Sequence, residues 1–312
     1  MGYYIDGNGV YHGFLRAPDG SITKFNPPGA GKGAGQGTYT QIGMNPKRVI
    51  TGGYWDSSSV IHGFLRARDG KFTRFDAPST CAGSGAGQGS AGYSINPAGL
   101  IVGGCTDDSG VAHAFLRHTD GTFKVFDDPD AGTGAGQGTT PDTSSGLSPA
   151  GVVSGFYIDS NSVYHGFLRA SDGTFTSVDA QGAGTGAGQG TLLASINPKG
   201  VTAGVWIDSN NVNHSFVRTP DGTITEFDVK GAGTGAGQGT IAQSINPAGA
   251  IPGYYIDANS VLHGFLRAPD GTTTKFDVLG QAGTLPTSNN PAGAITGVYF
   301  DANGAVHGFL RP

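Results

Sequence analysis

The sequence predicts an all-β fold, a β-propeller built from four-stranded blades of about fifty residues. Three observations carry this reading. The segment His-Gly-Phe-Leu-Arg occurs at His12, His62, His165, His263 and His307, with close variants at His113 (HAFLR) and His214 (HSFVR). Successive copies lie 50, 51, 52, 49, 49 and 44 residues apart. Apolar residues come in short alternating bursts, and Gly, Pro, Asn or Asp interrupts them too often for an amphipathic helix.

One repeat, Thr38 to Pro78, shows the parts in order. TYTQIGMN reads as a first strand, with Pro46-Lys47 in the turn that follows. VITGGYWD is a second strand ending at Asp56, and Ser57-Ser58-Ser59 turns the chain into VIHGFLR, the third. Arg68-Asp69-Gly70 forms a tight turn, with Gly suited to positive φ, into KFTRFD, the fourth. Apolar residues on both faces, as in Val60/Phe64 and Ile61/Leu65, suit a sheet sandwiched between two neighbours.

Counted along the chain, the second and third strands occur seven times and the first and fourth six times. The total, 26 strands, lies between six and seven complete blades. Seven blades with incomplete first and last members account for every hairpin, so seven is favoured over six, in a single domain spanning 1–312.

Composition narrows the partners. Glycine supplies 57 of 312 residues and only 13% are charged, with a net charge of −5 and no basic run. Nucleic acid and anionic membrane are therefore poor partners. No stretch is apolar enough for a membrane-spanning helix. No signal peptide opens the chain, and a processed form of a secreted protein is expected. The only two cysteines, Cys81 and Cys105, both replace the usual residue of their repeat. Two such departures in one unit suggest a disulfide, which would imply an oxidising compartment.

The pattern I-N-P-x-G-x-I-x-G-x-Y-x-D, then H-G-F-L-R, then D-G-x-x-x-x-F-D, resembles the HAF repeats of bacterial extracellular proteins over essentially the whole chain. The resemblance implies secretion or surface display and a propeller-like fold. It carries no established reaction, hence no catalytic residues. The Gly-rich linker is longer and more uniform than the resemblance implies.

Loops after the second and fourth strands should open on one face, the usual binding face of a propeller. The fourth-to-first linker reads GAGKGAGQGT from Gly29 to Thr38 and GAGTGAGQGT from Gly182 to Thr191 and from Gly231 to Thr240, with close copies at Cys81–Ser90 and Asp130–Thr139. The last copy shrinks to GQAGTLP at Gly280–Pro286. Ten residues span roughly 33 Å, whereas crossing a blade needs only about 14 Å, so the linker must fold over that face. Its glycine amides could form an anion nest. Gln36, Gln88, Gln137, Gln189 and Gln238 add one neutral donor and acceptor each. With Asp56, Asp159, Asp208 and Asp257 they are the candidate ligand-binding residues. The Asp-x-Asn pairs Asp159/Asn161, Asp208/Asn210 and Asp257/Asn259 offer oxygens to calcium but lack the further carboxylates of a dedicated loop. Asx-turn capping is the better reading, and no cofactor is expected.

The seven motif histidines are spread one per repeat, so a structural hydrogen bond is favoured over a metal cluster. Arg66 and its equivalents are expected to pair with nearby Asp side chains and to cover blade edges. No nucleophile, base and orienter assemble in sequence. Near-identity of the repeats favours a multivalent extracellular binding or adhesion module, possible ligands being glycans or another cell-surface component. The alternatives are a structural protein that self-associates through its incomplete terminal hairpins and a glycan-active enzyme on a propeller scaffold.

Overall fold

A computed structural model describes residues 1–39, 43–143, 145–280 and 282–312. Among them there are strands and turns and no helix. The chain falls into two compact units, Met1–Gly151 with Tyr157–Ser160, and Val152–Phe156 with Asn161–Pro312.

The first unit opens with a three-stranded antiparallel sheet, Gly2–Ile5, Tyr11–Arg16 and Ile22–Phe25. The second sheet has four strands, Gly43–Met44, Ile50–Trp55, Ile61–Arg66 and Phe72–Phe75. The predicted first strand of this sheet includes Thr40, Gln41 and Ile42, which lie outside the described residues, as does Gln281 of the short last linker. The third sheet repeats the plan with Gly89–Ile95, Ile101–Thr106, Ala112–Arg117 and Phe123–Phe126. Of the fourth sheet, Gly138–Pro141 belongs to this unit.

The second unit opens with the antiparallel strands Tyr164–Arg169 and Phe175–Val178. Its fifth sheet comprises Gly190–Ile196, Thr202–Ile207, Asn213–Arg218 and Ile224–Phe227. The sixth comprises Gly239–Ala242, Ile251–Ile256, Leu262–Arg267 and Thr273–Phe276. A three-stranded sheet closes the unit, Gly283–Asn289, Ile295–Phe300 and Val306–Arg311.

The repeated motif sits on the third strand because each of its residues has a fixed neighbour. Gly63 pairs with Phe75 of the fourth strand, and that ring lies flat over the glycine. Any Cβ at Gly63 would collide with it. Phe64 points to the other face, fully buried with Phe25, Ile50 and Tyr54 between the first and second sheets. Burying such a ring contributes about 1.5–3 kcal/mol.

Arg66 is placed differently from expectation. Its guanidinium lies 5.2 Å from the Phe25 ring and 5.9 Å from the Phe72 ring. Arg117 covers Phe75 at 5.0 Å, Arg267 covers Phe227 at 4.8 Å and Arg311 covers Phe276 at 4.6 Å. The motif arginine is thus a cation–π bridge from one sheet to the outer strand of the preceding one. The nearby Asp69 caps its own turn, Oδ1 accepting the Lys71 N–H at 2.9 Å.

The sulfurs of Cys81 and Cys105 are bonded, with Cα atoms 5.7 Å apart. Other repeats explain the pairing. Gly29 lies against the Tyr54 ring, and Gly182 against the Trp206 ring. In the third sheet the linker residue and the second-strand residue have both become cysteine, and a covalent bond replaces a glycine–aromatic contact. In the chain-entropy view a loop of this size contributes roughly 3 kcal/mol.

Asn-Pro-x-Gly turns join first and second strands. Asn96 Oδ1 accepts the N–H groups of Gly99 and Leu100, both at 3.0 Å, while Gly99 takes φ of 96°. In the second sheet that place is held by Arg48, at φ of 60°. A side chain in this region costs about 1 kcal/mol or more relative to glycine. Arg48→Gly is expected to raise unfolding free energy by about 1 kcal/mol in urea denaturation; an unchanged or lowered midpoint would refute that account.

Candidate functional site

Each linker stitches two neighbouring sheets together. Gly35 donates its N–H to the Gly9 carbonyl in the preceding sheet's turn at 2.9 Å, and Gly31 donates to Trp55 in the following sheet at 2.8 Å. The same two bonds recur at Gly87 to Ser59 and Gly83 to Thr106, at Gly136 to Gly110 and Gly132 to Ile158, and at Gly237 to Asn211 and Gly233 to Ile256. The linkers and the second-to-third-strand turns therefore meet on one face of the sheets.

The glutamines close this stitching. Gln36 Oε1 accepts the Gly33 N–H at 3.0 Å, and Gln88, Gln137, Gln189 and Gln238 accept the equivalent glycine N–H at 2.7–2.9 Å. The Nε2 of Gln36 donates to the Ser57 carbonyl at 3.0 Å, that of Gln137 to Ser160 at 3.2 Å and that of Gln189 to Ser209 at 3.3 Å. The N–H groups of Gly31, Gly33 and Gly35 are all spent inside the protein, so the anion nest that the sequence suggests does not form there. What faces outward is a tip of four exposed residues per linker, Lys32–Gly35, Ser84–Gly87, Thr133–Gly136, Thr185–Gly188 and Thr234–Gly237.

The aspartates of the turn cap it. Asp56 Oδ1 accepts the N–H groups of Ser58 at 2.8 Å and Val60 at 3.0 Å, an Asx-turn. Asp208 and Asp257 do the same for Asn210 and Val212 and for Asn259 and Val261. The other oxygen of Asp56 faces His62 Nε2 at 3.2 Å, while His62 Nδ1 lies 2.7 Å from Asp76 on the fourth strand. His113 stands likewise between Asp107 and Asp127, and His165 reaches Asp179 at 3.1 Å. An aromatic ring from the second strand stacks on many of these imidazoles, Trp206 on His214 at 4.1 Å and Tyr255 on His263 at 4.8 Å. This Asp–His–Asp clamp ties turn, third strand and fourth strand into one rigid corner. Among the described residues, no group of three or more His, Cys, Asp and Glu side chains could hold a metal ion.

The clamp biases its ionisation states. The Val111 N–H, against a smaller cost of burial, holds Asp107 below the usual carboxylate range, with His113 adding to it. Asp6 and Asp257 are lowered in the same way by Val10 and Val261. Burial disfavours charge on His113, but Asp127 and Asp107 outweigh it and raise its pKa.

One feature escaped the sequence reading. Tyr3 and Tyr11 of the first sheet meet Tyr39, which follows the first linker, and Trp55 of the second sheet in an aromatic cluster, the closest centroids being Tyr39 and Trp55 at 4.4 Å. The available signal was a break in the repeat: where Tyr3 and Tyr39 stand, the next unit has Gly53 and Ala91.

No family model and no curated protein matches the sequence. Solved structures do resemble it. The BP39L lectin from Burkholderia pseudomallei is similar at a TM-score of 0.60 and 12% identity, over 99% of this chain and 91% of that one. The β-propeller domain of the Trilobed protease from Pyrococcus furiosus, described as having an open velcro topology, is similar at 0.58 and 8% identity, over 99% and 89%. A mutant of AofleA from Arthrobotrys oligospora is similar at 0.50 and 11% identity, over 88% and 84%. The chain is a β-propeller, and its sheets are blades.

The clamp gives stability opposite pH dependences. Carboxylates with lowered pKa stabilise the fold above their unfolded value, about 3.9, and lose that contribution as pH falls through the folded value. His113, raised, stabilises below about 6.5 and loses its contribution as pH climbs through its folded pKa. Thermal melts across pH should show a plateau between these limits, and His113→Gln should flatten the alkaline decline; a melting temperature still rising above pH 7 would contradict the scheme.

Proposed function

We propose that the chain is a non-catalytic, multivalent binding module whose ligands are glycans, acting outside the cytoplasm. The observation that carries this reading is the set of five exposed linker tips held in one backbone geometry by the same bonds. Each presents a small polar or cationic residue, Lys32, Ser84, Thr133, Thr185 or Thr234, between glycines. Such tips suit repeated weak contacts that gain strength by avidity. A lectin among the similar structures supports a saccharide ligand. The uniform use of the histidines argues against catalysis, since a reaction needs different residues in different roles.

A glycan array followed by calorimetric titration tests the reading. Several equivalent weak sites per chain are expected, and an intact, folded chain that binds no glycan would overturn it.

The Cys81–Cys105 bond and the HAF-like repeats support secretion or surface display. Thiol labelling of the protein recovered from its native cells should find both sulfurs blocked; two free thiols would place it in a reducing compartment.

A further inference from the structure

Four rings gather where the first blade meets the second. Tyr3 lies 5.6 Å from Tyr11 and 5.7 Å from Tyr39, and Tyr11 lies 5.7 Å from Trp55. The fold does not require aromatic residues at these places. The position of Tyr3 is held by Gly104 and Val205 but also by Phe156 and Tyr254, that of Tyr11 by Ile61 and Ala112 but also by Tyr164, that of Tyr39 by Ala91 and Leu192, and that of Trp55 by Thr106 and Ile207 but also by Phe300, so the combination of four rings, not each ring, is particular to this seam. Nor is the cluster sealed as a core would be. Tyr3 is 43% exposed, its neighbour Ile5 is 53% exposed, and the other three rings are partly exposed.

The rings are tilted rather than stacked, at 49° for Tyr3 on Tyr11, 50° for Tyr3 on Tyr39 and 90° for Tyr11 on Tyr39. Aromatic surface therefore remains free to receive a ligand. Burial, with Tyr39 and Tyr11 adding to it, raises the Tyr3 phenol above its ordinary value. The flanking carboxylates are committed elsewhere, Asp6 to its turn and His12, Asp56 to its turn and His62. The result is a partly exposed surface of ring faces that carries three phenols. Its complement is a ligand with an apolar C–H face and a rim of neutral hydroxyls, and an anionic ligand would meet a chain of net charge −5.

We propose that Tyr3, Tyr11, Tyr39 and Trp55 form a saccharide platform, separate from the repeated linker tips, that takes one neutral pyranose. The proposal rests on the glycan-binding reading and adds to it one site of a different kind.

The chain provides its own reporter. It has two tryptophans, and the other, Trp206, is 8% exposed and packed on His214. Trp206→Tyr, which installs the residue found at the equivalent Tyr54 and Tyr255, leaves Trp55 as the sole indole. Glucose, galactose, mannose, fucose and N-acetylglucosamine are titrated in turn with indole-selective excitation, beside the glycan array of the intact chain. A saturable change of Trp55 emission is expected with at least one sugar, weakened about tenfold by Tyr3→Val or Tyr39→Leu. Both substitutions use residues that other blades already hold at those places, and unchanged thermal melts confirm folding. Array binding with silent Trp55, or a Trp55 response unaltered in both variants, overturns the platform and leaves the glycan reading standing. Silence in both assays overturns the two together.

Discussion

The structure depends on one constraint: a four-stranded sheet of this sequence has apolar side chains on both faces and cannot stand alone in water. Phe64 and Phe115 are fully buried, each against the outer strand of the preceding sheet. The motif arginine covers the same seam, its guanidinium over the neighbouring phenylalanine and its stem along apolar surface. Each repeat therefore completes its predecessor, and stability grows by nearest-neighbour contacts, as in other repeat architectures.

The polar groups obey the same logic at the loop face. Linker backbone, Gln side chain, Asx-turn and imidazole form a network of hydrogen bonds within and between neighbouring sheets. Consumption of the glutamines and aspartates by the scaffold changes where binding should be sought. The residue types that attract notice in the sequence, because they recur and are polar, recur for a scaffold reason. On the proposed reading, recognition uses what the network leaves outside, the small exposed tips, and the four-ring cluster between the first two blades.

The two breaks in symmetry have different physical meanings. Cysteines 81 and 105 exchange a glycine–aromatic contact for a covalent one, so they preserve the seam by other means. Tyr39 and Trp55 join Tyr3 and Tyr11, whose places Phe156 and Tyr164 also fill with rings in the fourth blade, into a four-ring cluster, and part of its bulk stays exposed. A substitution that serves packing alone would be expected to disappear into the core; this one does not.

By itself the sequence determined the β-propeller class, the order of strands in each repeat and the turn chemistry, because period, alternation and Asx or glycine turns are local properties. It also singled out Cys81 and Cys105, since departures from a repeat are visible in one dimension. Only the tertiary structure decided what the polar side chains bind. Arg66 could have met a carboxylate or a ring, and packing between sheets sets its guanidinium over the Phe25 ring. Gln36 could have faced a ligand or the next blade, and its amide lies across the seam. The aromatic cluster was hidden for the same reason. Tyr3, Tyr11 and Trp55 belong to different strands of two sheets and Tyr39 to the segment after the linker, and their proximity comes from packing between repeats, which no periodicity within a repeat encodes.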